Sequence, residues 1–136
     1  MSIQAALLDT DILSELLKQH PAVTSKARAY LAEHGRVAFS LITRYEILRG
    51  LHAKDAHAQQ SAFESFCFAS MILPVTDAVV EQAARLYGEL YQRGELLPDA
   101  DLLIAATALT EHRVLVTNNV RHFSRIRGLV LDNWRQ

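Results

Sequence analysis

Ala5-Ala6-Leu7-Leu8-Asp9-Thr10-Asp11-Ile12-Leu13 is the stretch from which the fold can be read. Four apolar residues stop abruptly at an acid. The run is too short for a helix and shows no alternation, so it predicts a strand buried on both faces, as inside a parallel sheet. A helix follows over 10–18, with Ile12, Leu13, Leu16 and Leu17 on one side. The handover from strand to helix puts Asp9 at the carboxyl end of the strand, where open parallel sheets bind their ligands.

Working outward, His20-Pro21 breaks the first helix. Pro21 opens a second over 21–33, which Gly35 closes. Residues 36–39 read as a strand, and Ser40 is the expected N-cap of a helix reaching about 53. A further helix is expected over 57–69 and a third strand over 71–75. Thr76 or Asp77 caps a long helix to 93, which Gly94 ends. Pro98-Asp99 then opens a helix with an apolar face over 102–109, with Asp99 as the expected N-cap. Residues 114–117 form a fourth strand. Asn118-Asn119 turns the chain into a short helical piece ending near Gly128, and 129–131 add a fifth strand. The alternation predicts an α/β fold: a central parallel sheet of four to five short strands, flanked by helices on both faces. Without repeats, low-complexity tracts or linkers, 1–136 is expected to form one domain.

Composition bounds the function. Of 136 residues half are apolar, enough for a core without metal or disulfide staples. Fourteen basic against fifteen acidic residues give a net charge of -1, which excludes a protein that coats nucleic acid by bulk charge. The lone cysteine, Cys67 in Phe66-Cys67-Phe68, rules out an internal disulfide and reads as a small buried hydrophobe. The opening residues lack the basic and apolar regions of a secretory signal, and no apolar run reaches the roughly 20 residues of a bilayer span. A cytoplasmic protein with no membrane contact is expected.

The acids carry the chemistry. Asp9 can be the N-cap of the helix it precedes. Asp11, in the first helical turn, suits the helix dipole and is read as supporting. Glu46 lies on a helix apolar round most of its circumference (Leu41, Ile42, Tyr45, Ile47, Leu48, Leu51), so it borders the core; pairing with Arg44 or Arg49 is the alternative reading. Asp101 falls in the first turn of a helix whose later turns are small and apolar. Each acid alone has a bland account. Together they lie near strand exits or helix starts and can converge at one end of the sheet, where their mutual repulsion calls for protons or cations. Oxygen-only ligands suit Mg²⁺ or Mn²⁺. The six histidines show no paired spacing for zinc, and only His122 falls near a strand exit.

These residues resemble the PIN-domain ribonucleases, especially VapC-type toxins of bacterial toxin–antitoxin pairs. The resemblance spans nearly the whole chain: Leu7-Leu8-Asp9-Thr10-Asp11-Ile12-Leu13, the Glu46 helix, Asp101-Leu102-Leu103-Ile104-Ala105-Ala106-Thr107-Ala108, Leu115-Val116-Thr117-Asn118-Asn119-Val120-Arg121-His122-Phe123, and the closing Gly128-Leu129 to Trp134. It implies Asp9, Glu46 and Asp101 as catalytic, metal-binding carboxylates, and its spacing selects Asp101 over Asp99. Many members carry a fourth acid two residues after Thr117; here that position is Asn119, a neutral amide, which leaves the number of cations open. Asn119, Thr117, Asp99 and Asp11 are supporting or metal-water candidates. The implied activity is Mg²⁺-dependent, or Mn²⁺-dependent, hydrolysis of RNA by in-line attack of water, with the 3′-oxygen leaving. Implied partners are an RNA substrate, a cognate antitoxin protein and a second copy of the chain; the apolar helices over 41–51 and 63–68 are candidate contact surfaces. The basic stretch over 113–136 offers Arg121 and Arg125 as phosphate contacts, and Arg44 and Arg49 flank Glu46.

Two other readings compete. A PIN fold can act as an RNA- or protein-binding module; loss of the acids would signal that, and three remain. Asp9-Thr10-Asp11 also resembles the start of haloacid-dehalogenase phosphatases, but those expect Thr or Val where Leu13 stands.

Overall fold

A computed structural model describes residues 2–136. Its elements are β1 (Ala6–Leu8), α1 (Thr10–Leu17), α2 (Pro21–His34), β2 (Ala38–Ser40), α3 (Leu41–Ala53), α4 (His57–Phe68), β3 (Met71–Leu73), α5 (Asp77–Gln92), α6 (Asp99–Thr110), β4 (Val114–Val116), α7 (Val120–Phe123) and β5 (Leu131–Asp132). All strand pairing is parallel. β1 pairs with β4 and β4 with β5, in the registers Leu7↔Leu115 and Leu115↔Leu131. β2 and β3 form a second ladder, Phe39↔Ile72, and β2 packs beside β1. The spatial order is therefore β3-β2-β1-β4-β5, in two hydrogen-bonded groups rather than one continuous ladder.

Alternate residues of each strand feed opposite faces, as the two-residue pleat requires. Leu7, Ala38 and Leu115 point into a core built with α5, α6 and α7. Ala6, Leu8, Phe39 and Val116 point into a second core with α1, α2, α4 and Trp134. Both faces of the short central strands are covered. Leu7 and Leu8 are almost fully buried, and each such side chain contributes about 2 kcal/mol of apolar transfer.

Helix boundaries follow local chemistry. Ser40 and Thr76 cap α3 and α5 by accepting from the amides of Thr43 and Val79. Gly35, at φ 78°, closes α2 in the left-handed conformation that a residue without Cβ adopts freely. Helix α6 is apolar round its circumference, with Leu102, Ile104, Ala105, Ala106, Thr107 and Ala108 all buried. Its alanines let α5 pack closely on one side while α3 and the sheet take the others.

Two expectations are corrected. Pro98, not Asp99, is the N-cap of α6, and it makes no side-chain cap bond; Asp99 is the first helical residue and lies exposed. Proline suits that position because its fixed φ leads into the helix and it has no N–H to satisfy. The fifth strand forms at Leu131–Asp132, later than 129–131, because Gly128 turns the chain at φ 82° and the pairing with β4 starts only at Leu131.

The topology positions the site. Helices α1 and α3 follow their strands and so begin at the carboxyl end of the sheet. Helix α6 runs back toward the start of β4, so its first turn lies at that same end. Between β1 and β4 the chain order reverses, creating the crevice that parallel sheets use for ligands.

Candidate active site

Asp9 leaves β1 at this crevice and is 6% exposed. Its Oδ1 accepts the Thr10 amide at 2.8 Å, the capping bond of α1. Its Oδ2 accepts the Thr117 hydroxyl at 2.8 Å, from the end of the neighbouring strand. Thr117 Oγ1 in turn accepts the Asn119 amide at 3.0 Å. Cap and crevice carboxylate are thus one residue. Burial pushes Asp9 up from the usual 3.8 to about 7; the nearby Asp11 charge adds to the rise, and the two hydrogen bonds oppose it.

Asp11 is turned to the loop after β4. Its Oδ1 accepts the Ile12 amide at 2.7 Å and its Oδ2 the Asn118 amide at 3.1 Å, so it ties α1 to that loop. Partial burial also raises its pKa. Asp101, half-buried in the first turn of α6, is raised by burial too, while His122 pulls the other way. The His122 ring nitrogen Nε2 lies 3.0 Å from Asp101 Oδ2. The other carboxylate oxygen of Asp101 makes no hydrogen bond among the described residues.

Glu46 is reached through a relay of hydroxyls. Thr10 Oγ1 lies 2.6 Å from Glu46 Oε1 and 3.0 Å from Thr43 Oγ1. An ionised carboxylate only accepts, so Thr10 gives its single proton to Glu46 and accepts the proton of the fully buried Thr43. Thr43 is fixed by donating its amide to the Ser40 cap. Arg49 donates to Glu46 Oε2 at 3.5 Å, and Glu46 lines the cleft.

Asp9, Asp11, Glu46, Asp101 and Asn119 all line one cleft of about 850 Å³. Asp99 and Thr117 do not line it. Leu17, Ile47, Leu51, Phe63 and Phe66 supply its apolar wall, and Lys18 and Lys54 line it as well. None of the expected arginines lines this cleft, although Arg49 touches Glu46. Arg44 is bound to Glu64 through both guanidinium nitrogens, at 2.7 and 3.3 Å, with Cys67 Sγ at 3.2 Å. Arg125 donates to the Glu95 and Leu96 carbonyls. Arg121 is exposed on α7, outside the cleft, and Arg49 lies over the Tyr45 ring at 5.3 Å. Thr10, Thr43 and the two lysines were not singled out from the sequence, and the His122 contact with Asp101 was not foreseen.

A divalent cation fits the donor chemistry. The acids lining the cleft offer carboxylate oxygens, and burial raises the pKa of Asp9, Asp11 and Asp101, a rise that a nearby positive charge would offset. Among the described residues no three acidic, histidine or cysteine side chains converge into a ready-made cage. Oxygen ligands are what hard divalent cations take. Asp9 and Asp101, with Glu46 beyond them, are the groups able to hold it.

The chain matches the PIN domain family model over residues 6–129. It is 33% identical over 129 residues to Ribonuclease VapC2 of Rickettsia felis, covering 94% of this chain and 96% of that protein. It is 31% identical to Ribonuclease VapC1 of Methanocaldococcus jannaschii, covering 89% of this chain and 80% of that one. The crystal structure of VapBC2 from Rickettsia felis bound to a promoter DNA fragment contains a chain that superposes with a TM-score of 0.85 at 32% identity, over 95% of this chain and 98% of that chain. The 2.2 Å structure of VapBC-1 from nontypeable Haemophilus influenzae gives 0.85 at 27% identity, over 96% of this chain and 98% of that chain. The strand exit at Asp9, the crevice between β1 and β4 and these matches agree: the chain belongs to the PIN-domain family.

Proposed function

We propose that this chain, as a single PIN unit over 1–136, is an endoribonuclease that hydrolyses RNA phosphodiester bonds with Mg²⁺ or Mn²⁺, and that it is the toxin of a toxin–antitoxin pair. The observation that carries the reading is the convergence of Asp9, Glu46 and Asp101 on one cleft at the carboxyl end of the sheet. The ribonuclease names of its relatives support the chemistry.

Asp9 and Asp101 are the proposed holders of the cation. When bound, the cation neutralises phosphate charge and lowers the pKa of water. The chain's residues do the positioning. Thr10 and Thr117 fix both oxygens of Asp9, so the carboxylate costs no reorganisation during the reaction. Glu46, oriented by Thr10 at Oε1 and contacted by Arg49 at Oε2, keeps lone pairs to accept a hydrogen bond from the attacking water and take its proton. The water oxygen bonds to phosphorus as the bond to the 3′-oxygen breaks, and the leaving oxygen takes a proton from solvent. Asn119 offers an uncharged amide, Asp11 and Thr117 hold the loop, and Arg49 is the one arginine flanking Glu46 with reach left for phosphate.

The partners follow from the same reading. The structural neighbours include VapBC complexes, so we assign this chain a cognate antitoxin. We also assign it a second copy of itself. Val80, Tyr87 and Tyr91 stand exposed along α5, Leu41 and Tyr45 along α3, and Phe68 at the end of α4, whereas Phe63 and Cys67 of α4 are buried. No helix of the described residues is long and apolar enough to cross a membrane. We assign the activity to the cytoplasm, where RNA is present and Cys67 stays reduced.

The test is incubation with cellular RNA in Mg²⁺ or Mn²⁺, with EDTA as control and cleavage ends mapped. Wild type should cut, while Asp9→Asn, Asp101→Asn and the EDTA sample should not. Cleavage that survives both substitutions would sink the mechanism, and RNA binding without cleavage would make the chain a binding module.

A further inference from the structure

The carboxylates occupy one end of the cleft, and the reading above does not say how a polyanion is held beside them. Among the described residues two cations line the same cleft, Lys18 and Lys54. Lys18 ends α1, which begins beside Asp9; Lys54 ends α3, which carries Glu46. Asp11 and Lys18 are separated by seven residues, about 10 Å along the helix axis and nearly on one face. Glu46 and Lys54 are separated by eight, about 12 Å. Both lysines are exposed, and neither makes an ion pair or a side-chain hydrogen bond among the described residues. By contrast Arg44, Arg93, Arg113 and Arg125 are engaged with protein acceptors. A favourable helix dipole accounts for a lysine at either helix end. It does not account for both lining one cleft together with Gln59, Phe66 and the acids.

We propose that Lys18 and Lys54 form a phosphate clamp for the RNA strand. They would hold the phosphates a nucleotide or two from the bond being cut, with a base resting on the apolar wall at Phe66. The inference rests on the nuclease reading and adds the path of the substrate. Acids at one end and cations at the other give the strand a polarity: the scissile phosphate lies at the carboxylates, and the flanking backbone leaves between the C-terminal ends of α1 and α3. Aromatic stacking beside a basic track is how single strands are held without sequence preference.

The test measures binding of a short fluorescein-labelled single-stranded RNA of random sequence in EDTA, in an Asp9→Asn background, across a salt series. Lys18→Gln with Lys54→Gln should weaken binding about tenfold and reduce the slope of log K against log salt by about 0.7 per lysine. Lys26→Gln, exposed on α2 and outside the cleft, should change neither. Thermal melting of each variant guards against misfolding, and KM for cleavage by the double variant with Asp9 restored provides a second readout, expected to rise with little change in kcat. If wild type cleaves RNA but the double variant keeps its affinity, salt slope and KM, the clamp is overturned and the nuclease reading stands. If wild type neither binds nor cleaves RNA, both fall.

Discussion

The β1 exit and the first turn of α6 each deliver one carboxylate to the cleft, and they hold it differently. Asp9 is buried, and both its oxygens accept bonds, from Thr10 and Thr117. Asp101 is half-buried, with one oxygen against His122. The first carboxylate is set by the amide that opens α1 and by a hydroxyl just past the end of β4; the second is set by a side chain 21 residues on. A cleft so built has a rigid side and an adjustable side. The rigid side stores the cost of a desolvated charge, and the proposed cation would relieve it.

Asp9→Asn tests this contrast most severely, because it should raise stability while destroying activity. Asparagine can keep both contacts, accepting from Thr10 and donating to a reoriented Thr117 hydroxyl. Cleavage in Mg²⁺ should fall by about 10³-fold or more, since the charge that neutralises the phosphate is worth several kcal/mol. In EDTA the effect on melting has the opposite sign and depends on pH. The carboxyl at position 9 titrates near 7 in the fold against 3.8 unfolded. Below pH 4 it is protonated in both states and costs nothing. Between pH 4 and 7 the unfolded chain releases the proton that the folded chain keeps, so stability falls as pH rises. Above pH 7 the full penalty is present, at most about 4 kcal/mol. The Asp9→Asn chain should therefore melt with wild type at pH 4 and progressively above it toward pH 8. Paired melts over that range check this, and a variant that melts below wild type at pH 8 would mean the buried charge is already compensated by the protein itself.

His122→Asn probes the adjustable side with a smaller effect. The His122 contact with Asp101 is one-quarter exposed on both partners, so its loss should leave melting nearly unchanged. Cleavage should drop about 10- to 100-fold, the usual loss when a group that orients a metal-binding side chain is removed. A titration of Mg²⁺ dependence should show half-activation moving to higher concentration. A drop in rate at saturating Mg²⁺ with no such movement would assign His122 to the substrate rather than to Asp101.

How far this contrast could be read in advance depended on chain separation. The rigid side was legible: an apolar run ending at Asp9 and a second ending at Thr117 are local patterns, and parallel pairing brings them together. The relay from Thr43 through Thr10 to Glu46 was not, since it joins residues 36 apart through the packing of α1 on α3. The same packing turns Lys18 and Lys54 into one cleft. Charge counting pointed instead to the basic stretch near the C-terminus, where Arg125 is engaged with the Glu95 and Leu96 carbonyls. Composition reports how many guanidinium groups a segment has and says nothing of the acceptors they meet.

Asp99 is the weakest and cleanest probe. It lies two residues before Asp101 on the same helix, and two residues along a helix turn a side chain by about 200°. Asp101 therefore faces the cleft while Asp99 faces solvent, and Pro98 holds the cap position instead. What remains for Asp99 is the favourable field of a helix N-terminus, worth about 0.3–1 kcal/mol and screened by salt. Asp99→Asn should leave cleavage within about twofold of wild type and lower stability by no more than about 1 kcal/mol, an effect that shrinks as salt is added. Side-by-side rates for Asp99→Asn and Asp101→Asn check it. Equal losses from the two would mean that α6 can rotate or fray at its start, and the division between a fixed and an adjustable carboxylate would then have to be drawn within α6 itself.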